Sequence, residues 1–151
     1  MILMNANTVE IQAFLDASGF TFISQESDFP TQTASTITLT SQVVHVITDA
    51  FTTTKNFIVE AGAVWTSFNQ NGPLVTYSGS GTMFSGTNVS FAIVGCQITC
   101  PAATAFAFTD TVVNTQTLRY QDVSLVACNK IGTFTGMANA IFLTGAVFSA
   151  N

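Results

Sequence analysis

From Phe20 onward the chain is a succession of short apolar runs divided by polar turns, and hardly any of those turns suits a hairpin. The runs are Phe20 to Ile23, Ile37 to Thr40, Val43 to Ile47, Phe57 to Val59, Val64 to Phe68 and Leu74 to Tyr77. They continue as Val89 to Val94, Ala105 to Phe108, Leu118 to Tyr120, Val123 to Val126 and Ala140 to Leu143. Each is β-branched or aromatic and bounded by Gly, Asn, Asp, Ser or Thr, which marks a short strand. Asn-Gly, the strongest hairpin dipeptide, occurs once, at Asn71-Gly72, and Pro73 follows it. Elsewhere the breaks are Gly-Ser-Gly-Thr at 79–82, Ser-Gly-Thr-Asn at 85–88 and the stretch 133–136.

Before these runs, residues 7–19 carry a helical pattern. Asn7 or Thr8 can cap it, Glu10 sits in the first turn and Gly19 closes it. Ile11, Phe14, Leu15 and Ser18 fall at i, i+3, i+4 and i+7, a single stripe that must pack on something to be stable. A polar loop from Ser24 to Thr36, containing Phe29-Pro30, separates Phe20–Ile23 from the later strands. No linker or compositional break appears, so the expectation is one domain over 1–151: a helix-containing base at 1–36 and a strand-rich body at 37–151.

Two stretches look alike. Asn88-Val89-Ser90-Phe91 and Asp122-Val123-Ser124-Leu125 are 34 residues apart, within the range of stacked coils. The string Gly81-Thr82-Met83-Phe84-Ser85-Gly86-Thr87-Asn88-Val89-Ser90-Phe91-Ala92-Ile93, followed by the similar Asp122 segment, resembles the rungs of right-handed parallel β-helices in bacteriophage spikes and appendages, the pectate-lyase-like solenoid. The resemblance covers about residues 56 to 151. It implies a mainly β fold, a short right-handed parallel β-helix, and threefold assembly; the N-terminal helix lies outside the resemblance and is expected to cap the solenoid. A β-sandwich or jelly roll stays open as the alternative, because many short strands also suit those folds.

In a β-helix, inward residues stack on the coils above and below, about 4.8 Å apart. Val89, Phe91 and Ile93 would face inward and Asn88, Ser90 and Ala92 outward; Val123 and Leu125 inward, Asp122 and Ser124 outward. Four or so coils would make a stub roughly 20 Å tall by that spacing. Its ends would expose strand edges that invite further pairing, and the helix can cover one of them.

Composition then decides how such a stub lives. Only 7% of residues are charged and 48% are hydrophobic, against about 25% charge in an ordinary domain. Three cations, Lys55, Arg119 and Lys130, against eight acids leave a net charge of −5 and no basic patch. Nucleic-acid and anionic-membrane partners are therefore excluded as expectations. No run reaches the ~20 apolar residues of a membrane span, and Ile2-Leu3-Met4 is too brief for a signal-peptide core. Cys96, Cys100 and Cys128, an odd number, read as buried free thiols in a reducing compartment. The sequon Asn88-Val89-Ser90 then carries no meaning.

Candidate sites are few. His45, the sole histidine, alternates with Val43 and Ile47 on one face and reads as a core or interface imidazole. Three cysteines and one distant histidine make a poor zinc set. Paired carboxylates could cut polysaccharide, but Asp49, Glu60, Asp110 and Asp122 show no pairing in sequence. Gly79-Ser80-Gly81 lacks the lysine and helix start of a phosphate loop. No catalytic residue, cofactor or metal is expected. Phe14, Phe20, Phe22, Phe29 and Trp65 are the candidate docking residues, since aromatics are enriched at interface centres. The resulting expectation is a non-enzymatic virion protein, assembled in the host cytoplasm. It would be a homotrimer that cements or decorates the head against the major capsid protein or other virion proteins. A tail-fibre or tailspike tip binding host glycan is the alternative.

Overall fold

Residues far apart in sequence but similar in pattern lie side by side in the computed structural model, which describes residues 19–68, 72–111, 117–136, 141–145 and 147–150. The helix expected at 7–19 falls, but for its last residue, outside the described residues, as does Phe14.

Three sheets run the length of the molecule. Sheet A contains β1 (Phe20–Ile23), β4 (Val44–Ile47), β7 (Ala63–Thr66), β10 (Phe91–Val94), β13 (Leu118–Gln121) and β16 (Ile141–Thr144). Sheet C contains β5 (Phe51–Thr53), β8 (Leu74–Tyr77), β11 (Gln97–Thr99), β14 (Ser124–Cys128) and β17 (Val147–Ala150). Sheet B contains β2 (Thr31–Gln32), β3 (Thr36–Leu39), β6 (Asn56–Val59), β9 (Thr82–Thr87), β12 (Thr104–Thr109) and β15 (Lys130–Thr135). All pairings are parallel except the short antiparallel contact of β2 with β3. The chain visits A, C and B in rotation, so the fold is a parallel β-helix. Among the described residues four turns carry all three strands, with a partial turn at each end.

The parallel pairing reaches upstream of residue 37. β1 lies in register with β4, Phe20 opposite Val44 and Ile23 opposite Ile47. The first turn thus begins at Phe20, and the loop assigned to a separate base is part of that turn. Its centre, a 3-10 turn over Glu26–Asp28, stands where the other turns have a sheet C strand. The Asp28 carboxylate accepts hydrogen bonds from the Ser24 amide and hydroxyl (2.8 and 2.7 Å) and from the Gln25 amide (3.0 Å). Gln32 Nε2 donates to the carbonyls of Glu26 and Phe29, and Lys55 pairs with Glu26 at 3.4 Å. So held, the loop drops Phe29 into the barrel, stacked on Trp65 at 5.6 Å and edge-on to Phe57 at 5.3 Å. Phe29 plugs this end of the core.

The interior is built of stacked rings. Phe57, Phe84 and Phe106 occupy one inward position on three successive turns, with centroids 5.2 and 5.6 Å apart and planes within 25°. Such burial contributes roughly 1.5–3 kcal/mol per side chain. The ladder ends where Phe106 faces Gly132, and Gly86 likewise faces Phe108. A Cβ on Gly86 would lie 2.5 Å from Val89 Cγ2 and 3.1 Å from the Phe108 ring, so that strand position needs glycine. The assigned faces hold: Val89, Phe91, Ile93, Val123 and Leu125 are buried, and Asn88, Ser90, Ala92, Asp122 and Ser124 are more exposed.

The two look-alike segments are not one coil apart. Asn88 sits at a corner leading from sheet B to sheet A, whereas Asp122 sits between sheets A and C. What they share is local: each takes a left-handed backbone (φ 56° and 52°) and passes the chain to a buried valine. Asn and Asp tolerate that conformation better than other side chains. The likeness is one of corners.

Candidate interaction face

The outer surfaces of the three sheets differ chemically, because strand alternation sends different residue types outward in each. On sheet B, Thr87, Thr109 and Thr135 stand in register on successive turns, beside Ser85, Ala107 and Thr133. On sheet C, Thr52, Thr76 and Thr99 form the corresponding row. Among the described residues, the exposed large apolar side chains on these two faces are Ile58, Leu74 and Val126.

Sheet A is different. His45, Trp65, Ile93 and Tyr120 are in register and buried, so the alternate positions face outward. One outward row is Phe20, Val44, Val64, Ala92 and Arg119; the other is Phe22, Val46, Thr66, Val94 and Gln121. Arg119 is the sole charged residue in these rows, at the end remote from Phe20. A shallow groove of about 200 Å³, almost wholly apolar, runs between Val64, Ser90, Ala92, Thr117 and Arg119.

Phe68 extends this surface around the corner after β7. Its side chain is 71% exposed, yet its ring meets Phe22 at 6.5 Å. Those two rings come from the first and third turns and bracket the turn that carries Val46. Val46 is only 1% exposed although it lies outside the main core cluster. A large bare phenyl ring beside two largely apolar rows extends one apolar patch rather than standing as a scattered surface residue.

The aromatic candidates therefore divide. Phe20 and Phe22 lie half-buried on this face, where an interface would use them. Phe29 and Trp65 do not: at 3% and 0% exposure they are core, which removes them from any docking surface. Aromatic density alone could not separate the two groups. Phe68, Val44, Val64 and Val94 were not singled out from sequence, although a signal was present. Val-His-Val-Ile, Ala-Val-Trp-Thr and Phe-Ala-Ile-Val are nearly continuous apolar runs, the mark of strands covered on both faces.

The remaining candidates are placed as follows. His45 is 0% exposed with neither ring nitrogen hydrogen-bonded, and burial lowers its pKa to about 4. Cys96, Cys100 and Cys128 are buried and reduced. Burial pushes the Cys96 thiol up to about 12, against the Trp65 indole. The carboxylates are dispersed: Asp49 and Glu60 flank the second turn, Asp110 the fourth and Asp122 the fifth. Glu60 accepts the Ser41 amide at 2.8 Å and Asp49 the Thr48 hydroxyl at 2.9 Å, both local turn contacts. Among the described residues no three His, Cys, Asp or Glu side chains converge.

No family model, curated protein or solved structure matches the chain.

Proposed function

We propose that the chain is a non-enzymatic structural protein of a virus particle, a homotrimer that cements or decorates the head. The observation that carries this reading is the chemical split between faces: sheet A apolar on its outside, sheets B and C covered with Thr and Ser. A closed ring of subunits with sheet A turned toward the axis would cover both outward rows and Phe68 on every copy. It would leave the hydroxyl-bearing faces to water or to the shell. Poverty of charge supports the same arrangement, since few ionised groups remain to keep a lone subunit apart from its copies. The particle assignment draws on the resemblance to phage β-helices, and the major capsid protein is then the expected further partner.

The test is copy number. In purified particles probed with an antibody to the chain, a head protein is expected at a stoichiometry comparable to the shell subunits, and its loss should leave fragile heads. A few copies per particle, with added free protein blocking host adsorption, would favour a glycan-binding tail tip instead. Absence from particles would remove the virion reading altogether.

A further inference from the structure

The corner between sheets C and B places two thiols together by an unusual backbone route. β11 and β14 pair with Gln97 opposite Ser124 and Ile98 opposite Leu125, a register that would set Cys100 opposite Ala127. Ala127 instead adopts a left-handed conformation (φ 53°), rare for a residue with a Cβ other than Asn or Asp. It takes up one extra residue. Val126 points outward, and Cys128 returns to the core at the level of Cys100. The Asn129 amide donates to the Cys100 carbonyl at 3.0 Å, which fixes that level. Both side chains are 0% exposed; the Cys100 thiol donates to Met83 Sδ at 3.7 Å and the Cys128 thiol to the Val126 carbonyl at 3.9 Å.

We propose that Cys100 and Cys128 form a dithiol that a hydroperoxide oxidises to a disulfide, stapling the fourth turn of the solenoid to the fifth. Turns stacked about 4.8 Å apart fall inside the roughly 4.4–6.8 Å Cα separation that disulfides bridge. A left-handed alanine that brings two buried thiols to one level of adjacent turns is the kind of local cost found where geometry serves a purpose. The proposal stands apart from the functional reading above.

The chemistry balances with peroxide as oxidant. The Cys128 thiol gives up its proton and its sulfur attacks one oxygen of hydrogen peroxide; the O–O bond breaks, the departing hydroxide takes up that proton and leaves as water, and Cys128 becomes a sulfenic acid. The Cys100 sulfur then attacks the Cys128 sulfur; the S–S bond forms, the S–O bond breaks and a second water leaves. Two thiols have lost two protons and two electrons, and peroxide has gained them. The order follows from the pairing: the neighbouring Cys100 holds the Cys128 thiol below its ordinary range, and Cys128 together with burial pushes Cys100 up. Cys96, against Trp65 at another corner, has no such partner thiol.

The experiment treats the reduced wild-type protein with dilute hydrogen peroxide, alkylates the remaining thiols and maps the digest by mass spectrometry without reduction. A linked Cys100–Cys128 peptide, an alkylated Cys96 and reversal by dithiothreitol are expected, with a rise in Tm of roughly 5–10 °C. Three alkylated cysteines after treatment, sulfinic acid without a link, or a link to Cys96 would each overturn the proposal. Because every outcome is read on the wild-type chain, no cysteine variant has to fold.

Discussion

The Phe22 ring lies 6.5 Å from that of Phe68, 46 residues later, across the outside of sheet A. The pair comes from alternate turns and leaves Phe68 the most exposed large apolar side chain among the described residues, at 71%. Phe68→Ser should therefore weaken self-association at least tenfold while changing the stability of the subunit fold by less than about 1 kcal/mol. Sedimentation velocity over a concentration series reads the first effect and thermal melting the second.

Phe29 is the plug of the first turn, and its loss should be felt through the whole upper core. Phe29→Ala leaves a void against Trp65, Phe57 and His45 and should cost about 3–5 kcal/mol. Asp28→Asn weakens the hydrogen bonds that aim the plug and should cost less. Urea unfolding followed by Trp65 fluorescence separates the two, since the indole stacks directly on Phe29.

His45 gives the fold a specific response to acid. The imidazole is neutral when folded, with its pKa lowered to about 4, whereas the unfolded chain takes up a proton near 6.5. Below pH 6.5 the unfolded state binds a proton that the folded state does not, so stability falls as pH falls. The loss reaches about 3 kcal/mol by pH 4. His45→Leu should flatten the profile between pH 6.5 and 4 without lowering stability at pH 7, because no hydrogen bond is given up. Asp28 acts lower: hydrogen bonds from Ser24 and Gln25 outweigh the upward push of burial and hold its pKa under 3.8, so its contribution is lost only on further acidification.

Gly86 tests the ring ladder. Gly86→Val drives a branched side chain into Val89 and the buried Phe108 ring and should cost about 1–3 kcal/mol. The outward neighbour Ser85→Val, in the same strand, should be near neutral.

The sequence carried the strand positions best where apolar residues met or alternated. Val89-Ser90-Phe91-Ala92-Ile93 could be assigned face by face because period two survives there. It failed at β5, β9, β11, β15 and β17; the Thr, Ser, Gly, Gln and Lys of the first four look like turn residues until the neighbouring turn is known. No fixed repeat was available either. The sheet A pairs Phe20–Val44, Val44–Val64, Ala63–Phe91, Phe91–Leu118 and Leu118–Ile141 are 24, 20, 28, 27 and 23 residues apart, because loops at the corners vary freely. Trp65 and Phe68 show the limit for sites. Three residues apart on one run, they end in the centre of the core and at its most exposed edge.

The central claim is that the outer face of sheet A is covered by further copies of the chain. Sedimentation equilibrium of the wild type beside Val64→Lys tests it most directly, since Val64 faces outward in the middle of that surface. A trimeric mass for the wild type and a folded monomer for the variant are expected. A wild-type chain that stays monomeric at high concentration would contradict the account.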